Sequence, residues 1–218
     1  VWRKANPNLG VSVFEDGLAT RCSQAQKNAA SQSSFLTKRL NVRVGAGSAY
    51  FNLFAWDKLR YDSELFIEAF AGKPCVIGLD LATHIDIAAK VNIFTVNDID
   101  YLFGKFYLPE DSLEKGNPNY DVYRGWADDG YLTITTGNII DFAYIERDLL
   151  EDRDRFQVRE VGYDQAQATQ LATRMLEAGL PMVKVPQNVM QMSEPMKELN
   201  SRILAGKARH DGNPVMTW

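Results

Sequence analysis

The sequence is short of several things, and each shortage excludes a class of protein. It has only two cysteines, Cys22 and Cys75, far apart in the chain. Neither a disulfide framework nor a cysteine-based zinc site can be built from them, and an intracellular, reducing compartment is the simplest expectation. No apolar run approaches the roughly 20 residues of a membrane span. The amino terminus, VWRKANPNLG, lacks the charged and apolar regions of a signal peptide. It also lacks an initiating Met, which suggests a fragment of a longer protein. No GxxxxGK[ST] occurs, so these residues carry no P-loop ATPase. GAGSAY at 45–50 is glycine-rich but has no Lys-Ser/Thr, and it reads as a turn. Basic excess is missing too. The net charge is -4, which argues against a protein that coats DNA electrostatically but not against a nuclease, whose bound cations reverse the local charge of its carboxylates.

What is present is enough for a core. The chain has 218 residues, 45% of them hydrophobic, which suits one domain or one domain with an appendage. Residues 1–70 read as a mostly helical linker region, with helix favoured from Gln24 to Asn41. FNLFAWDKLRYDSELFIEAF reads as aromatic-rich extended or short helical packing. Acidic residues concentrate at 110–129 and 141–160, which predicts an uneven surface.

From residue 71 the pattern becomes regular. PCVIGLDLA (74–82) is an apolar strand ending in a carboxylate, followed by a turn at Thr83 and His84. Residues 86–97 read as a returning strand and 100–110 as a third, the order of an antiparallel meander. Residues 111–130 are marked by Gly, Pro and Asn as a loop, and 131–137 is a short extended piece. A helix follows over IIDFAYIERDLLEDR. VREVGYD (158–164) is a strand again ending in Asp. Residues 165–179 form a helix closed by Gly179 and Pro181. A strand at 181–187 and a helix over about 193–205 complete the order, with RHDGNP read as a turn. The sulfur-rich VMQMSEPM reads as core packing or the start of that helix. Strand, strand, strand, helix, strand, helix, strand, helix is the order of a ribonuclease-H-like α/β fold: a mixed sheet flanked by helices.

This order makes the first and fourth strands parallel neighbours, so Asp80 and Asp164 emerge side by side at their carboxyl ends. Such a pair repels unless a cation lies between. Mg²⁺ or Mn²⁺ takes oxygen ligands and keeps several waters, so two or three carboxylates suffice. Two such ions about 4 Å apart can activate water against a phosphodiester. Alternatively, each Asp caps the turn or helix that follows it. Asp86 opens the returning strand, where it either faces the site or pins the hairpin. His84 reads either as a substrate or outer-shell group or as an exposed turn histidine. His210 is a further substrate-binding candidate, with a turn after a helix as its alternative. Asp128, Asp129 and Glu146 read as solvated or salt-bridged.

These residues resemble the large terminase subunits of tailed double-stranded DNA phages. IGLDLATHIDIAA is similar to the first nuclease motif of that family, which places the metal-holding Asp at Asp80 and a recurring second Asp at Asp86. VGYDQAQA is similar to the second metal motif, at Asp164. YRGWADDGYLTITTGNIID resembles the segment before the first crossover helix, and RHDGNPVMTW the His…Gly-Asn-Pro…Trp segment. WRKANPNLG and FLTKRLNVRV resemble the stretch that joins motor to nuclease. The resemblance implies a C-terminal nuclease domain at 71–218, preceded by linker and the end of the motor region at 1–70.

It further implies a Mg²⁺- or Mn²⁺-dependent endonuclease, with two ions in the complete site, that cuts concatemeric viral DNA. Its implied partners are double-stranded DNA, the portal protein, the small terminase subunit and an ATPase domain of the same polypeptide. Its implied location is the host cytoplasm at the procapsid portal. The family's third carboxylate lies on a helix beyond the position of Trp218, so weak metal binding and reduced or absent cleavage are expected of these residues alone. A non-catalytic portal or DNA docking module, and another ribonuclease-H-like nuclease such as a transposase or resolvase, are the competing expectations.

Overall fold

The computed structural model describes residues 2–42, 50–61, 66–82, 86–114 and 116–218. It separates into two compact units. The first comprises Val1–Arg60, Lys197–Gly206 and Trp218; the second comprises Tyr61–Met196 and Lys207–Thr217.

The first unit is helical, with α1 (Trp2–Ala5), α2 (Glu15–Lys27), α3 (Ala29–Leu40) and α4 (Leu53–Asp57). Helix α2 places Glu15 and Asp16 in its first turn and Lys27 in its last, matching the helix dipole. Asn52 caps α4, its side-chain oxygen accepting from the Ala55 N–H at 3.0 Å. The same oxygen accepts from buried Gln32 at 2.6 Å, while the Asn52 amide donates to the Gln26 carbonyl at 2.9 Å. One buried amide pair thus ties three helices together, with its polar groups satisfied.

The second unit is built on one sheet. Its elements are β1 (Pro74–Asp80), β2 (Ala88–Val96), β3 (Ile99–Pro109), α5 (Tyr120–Asp128), β4 (Thr133–Thr135), α6 (Phe142–Arg155), β5 (Gln157–Tyr163), α7 (Gln165–Glu177), β6 (Met182–Lys184), the start of α8 (Val189–Leu204), β7 (Ala208–His210) and α9 (Pro214–Thr217). Strand order is β4-β3-β2-β1-β5-β6, with β7 also on β3. Strands β1, β2 and β3 form the antiparallel meander, and β5 and β6 add in parallel through helical crossovers. This is the ribonuclease-H-like mixed sheet that the element order predicts. Asn97 and Asp98, at φ 51° and 61°, make the two-residue turn that the β2–β3 twist favours. Gly179 takes φ 87° after α7 and supplies the left-handed stop.

Two elements depart from the sequence reading. The expected loop at 111–130 contains α5, because Tyr123 and Trp126, three residues apart, pack on Phe106 and Leu108. RHDGNP, expected as a turn, contributes β7, whose three residues pair with Asp100, Tyr101 and Leu102. Both pieces are short and owe their form to the strand they cover.

The two sheet faces differ. One carries Ile77, Leu79, Phe94, Tyr107, Val161 and Tyr163 into a core with Ile145 and Leu149 of α6 and Leu171 and Met175 of α7. A polar network lies within that core. Lys90, only 4% exposed, pairs with Asp152 of α6. Asn92 donates to Asp152 at 2.9 Å and accepts from Lys90 at 2.9 Å. One helical turn earlier, Asp148 accepts from the Tyr107 hydroxyl at 2.6 Å and pairs with Lys105 at 2.6 Å. Among the described residues no buried polar side-chain atom lacks a partner. The acid-rich stretch at 141–160 is therefore not wholly surface: two of its carboxylates are buried.

Burial would raise the Asp148 carboxyl, but hydrogen bonds from Lys105, Tyr107 and Arg147 outweigh it and hold the group below the usual carboxylate range. The unfolded chain then binds the proton more readily, so this stabilisation is complete above the ordinary carboxylate value and is lost as pH falls through the folded one. Urea midpoints should accordingly fall as pH drops below about 4, and Asp148→Asn should flatten that fall. An unchanged pH profile in the variant would disprove the assignment.

Candidate functional site

In β1 and β5 the same short pattern recurs, Gly-Leu-Asp at 78–80 and Gly-Tyr-Asp at 162–164. The strands are parallel, with Gly78 opposite Gly162 and Leu79 opposite Tyr163. Side chains alternate along a strand. Leu79 and Tyr163 therefore enter the core, while Gly78, Asp80, Gly162 and Asp164 share the other face. Asp80 is exposed and Asp164 half-buried. Both line one open cleft of about 330 Å³.

The floor of this cleft is made of small groups. Gly78 and Gly162 present no side chains, and Ala89 and Val91 of β2 lie opposite Asp80 and Gly78. Val185, Gln187 and Met192 form a wall. A Cβ at Gly162 would lie 3.2 Å from the Val185 methyl, so the wall would have to shift by a few tenths of an ångström to admit one. A shallow, uncharged floor ending in two carboxylates lets a bulky backbone approach the acids closely. A second cavity of about 430 Å³, toward the polar network, is lined by Lys90, Lys105, Asp148 and Asp152. Asp152 is paired with Lys90 and Asp148 with Lys105, and the other acids that line it, Glu68, Glu151 and Asp211, are engaged by Arg155, Arg147 and the Asn213 N–H.

Of the other sequence candidates, those among the described residues are not in the lining of this cleft. Asp86 is exposed, two residues before β2 begins, at the end of the β1–β2 hairpin where Asp80 lies. It is not among the residues lining the cleft. His84 lies outside the described residues. His210 is 2% exposed on β7, paired with Leu102, and β3 and β2 separate it from β1 in the strand order. Its Nδ1 accepts from the Gly212 N–H at 3.1 Å and its carbonyl from the Tyr61 N–H at 3.1 Å. Those contacts are structural. Asp128 is exposed and pairs with Arg124 at 3.1 Å. Glu146 pairs with Arg174 of α7.

The glycines of the floor went unread in the sequence, although the repeated Gly-x-Asp was available as a signal. So did Gln187 and Met192, which reach the cleft from beyond β6. The VMQMSEPM stretch takes the second of its two expected forms, the start of α8 rather than core: Val189 and Met190 are 84% and 89% exposed.

The donor set suits a hard, hydrated cation. Two carboxylates facing one open cleft match a Mg²⁺ or Mn²⁺ ion that keeps several waters. Among the described residues, no group of three His, Cys, Asp or Glu side chains converges to hold a metal. Nor is any described helix long and apolar enough to cross a membrane.

Residues 1–218 match the family model described as terminase large subunit, endonuclease domain. The chain is 36% identical to Protein YmfN of Escherichia coli (strain K12), across all of this chain and 50% of that protein. It is 27% identical to the terminase large subunit of Enterobacteria phage HK97, across 99% of this chain and 43% of that one. The chain thus spans half or less of these curated relatives. The crystal structure of the HK97 large terminase superposes with a TM-score of 0.65 at 27% identity, covering 99% of this chain and 45% of that chain. The large terminase of a thermophilic bacteriophage, solved with ATP-gamma-S and 11% identical, shares the fold at a TM-score of 0.50, covering 92% of this chain and 42% of that one.

Proposed function

Because the chain belongs to the terminase large-subunit endonuclease family, we propose that residues 71–218 act as a divalent-metal-dependent endonuclease domain that cuts concatemeric double-stranded viral DNA. Residues 1–70 are the linker and the end of the motor region. The observation that carries this reading is the paired Gly-x-Asp on parallel β1 and β5, which puts Asp80 and Asp164 on one face of one cleft.

Asp80 and Asp164 would hold Mg²⁺ or Mn²⁺. When bound, the ion supplies Lewis-acid polarisation of water and of the scissile phosphodiester. The chain's own residues do the rest. The two carboxylates anchor and orient from rigid strand ends, which fixes their separation better than loops would. Gly78, Gly162 and Ala89 leave room for a sugar–phosphate backbone. Gln187 offers an amide donor and acceptor at the wall. The family and the shared fold support the wider setting we infer: the portal protein, the small terminase subunit and an ATPase domain of the same polypeptide as partners, at the procapsid portal in the host cytoplasm.

Calorimetric titration of the full chain with Mn²⁺ is expected to give a saturable isotherm, weakened about tenfold or more in Asp164→Asn. Whatever nicking of supercoiled plasmid the chain performs, reduced as it is expected to be, should require Mn²⁺ or Mg²⁺ and stop in EDTA. Absence of binding heat, with nicking that persists in EDTA, would sink the reading.

A further inference from the structure

Beside the carboxylates, the chain puts apolar side chains where burial would be expected to remove them. Residues 183–191 are exposed without interruption, running from edge strand β6 into the first turn of α8. Val183 and Val185 are 41% and 40% exposed, and Val189 and Met190 almost wholly so. The segment is continuous with the site: Val185, Gln187 and Met192 line the cleft that Asp80 and Asp164 close.

Its composition is as particular as its exposure. Residues 178–193 contain no acid and a single charge, Lys184, in a chain with 28 Asp and Glu. Around the apolar pair stand three amides, Gln187, Asn188 and Gln191. Asn188 also fixes the geometry, its side-chain oxygen accepting from the Gln191 N–H at 3.0 Å and its carbonyl from the Met192 N–H at 2.9 Å. Val189 and Met190 are therefore presented on an ordered helical turn.

We propose that this segment is a DNA wedge: Val189 and Met190 enter the minor groove beside the cleft and part a base step, while Gln187, Asn188 and Gln191 contact base edges. Minor-groove proteins combine these elements, apolar wedges flanked by amides and a cation. The minor groove's degenerate acceptor pattern suits amide side chains without imposing a strict sequence. Absence of acid removes repulsion from the phosphates, which the rest of this acidic chain would otherwise supply. An unstacked step bends the duplex and brings its backbone toward the floor of small residues. The proposal rests on the nuclease reading for its substrate, and its test separates the two.

The full chain is titrated, in Ca²⁺, against a duplex carrying 2-aminopurine, whose fluorescence rises on unstacking. Wild type is expected to raise it several-fold. Val189→Ser/Met190→Ser should abolish the rise and weaken binding about tenfold by anisotropy. Thermal melting should not change, because both side chains are solvent-exposed. No rise with wild type, or an equal rise with the double variant, overturns the wedge. So does sedimentation showing that wild type self-associates through the patch while the variant is monomeric and still unstacks DNA. Plasmid nicking is run in parallel. Metal-dependent nicking without unstacking overturns the wedge alone, whereas unstacking with nicking that persists in EDTA upholds the wedge and removes the nuclease reading.

Discussion

Asp152→Ala is expected to destabilise the sheet unit by about 3–5 kcal/mol, the usual result of stranding one partner of a buried ion pair. Lys90 is the stranded group. It is nearly inaccessible in the middle of β2, held by Asp152 and Asn92. Without the carboxylate its ammonium keeps one neutral acceptor and no counter-charge. Asn92 also loses its 2.9 Å acceptor. In a chain of this size the loss corresponds to a fall in melting temperature of roughly 10 °C. The double variant Lys90→Met/Asp152→Leu should recover most of it, because an apolar pair of similar volume avoids desolvating two charges. Urea denaturation of the three proteins decides the matter. A loss below about 1 kcal/mol in Asp152→Ala, or no recovery in the double variant, would show that the pair is not a coupled buried unit.

The second large effect is on activity and not on stability. Asp80→Asn should lower Mn²⁺-dependent plasmid nicking about 100-fold or more, since even outer-shell partners of a metal cost 10–100-fold when removed. The side chain is exposed and Asn is nearly isosteric, so packing is untouched. Melting temperature should thus stay level while cleavage and Mn²⁺ affinity fall together. Asp128→Asn, at an exposed carboxylate paired with Arg124, serves as the control and should retain nicking. Nicking by Asp80→Asn at the wild-type level would remove Asp80 from the site.

The parts that were legible in the sequence are those set by local pattern. Apolar runs of strand length, each closed by Asp, located β1 and β5, and the intervening order made them parallel neighbours. That was enough to bring Asp80 and Asp164 to one end of the sheet. What resisted reading depends on distant partners. Asp148 and Asp152 stand four residues apart in a charged helix, a spacing that ordinarily describes a solvated face. Their cations, Lys105 and Lys90, arrive from strands some forty to sixty residues earlier. Helix α5 and strand β7 are too short for periodicity to register, and each exists because β3 offers a surface or an edge. The cleft floor consists of what is missing from Gly78 and Gly162, and only their register across two strands gives that absence meaning.

Cys75 lies at the start of β1, 1% exposed, its sulfur accepting from the Asn92 amide at 3.6 Å. Burial pushes its thiol up to about 11, so at neutral pH it is almost wholly unionised and out of reach of alkylating reagents. Cys22 is partly exposed. The two thiols therefore differ in kinetics rather than in kind: a maleimide takes Cys22 directly, and Cys75 only as often as β1 parts from its neighbours. The strand that carries Asp80 thus has its own timer, which reports how frequently the core opens without a label placed near the cleft.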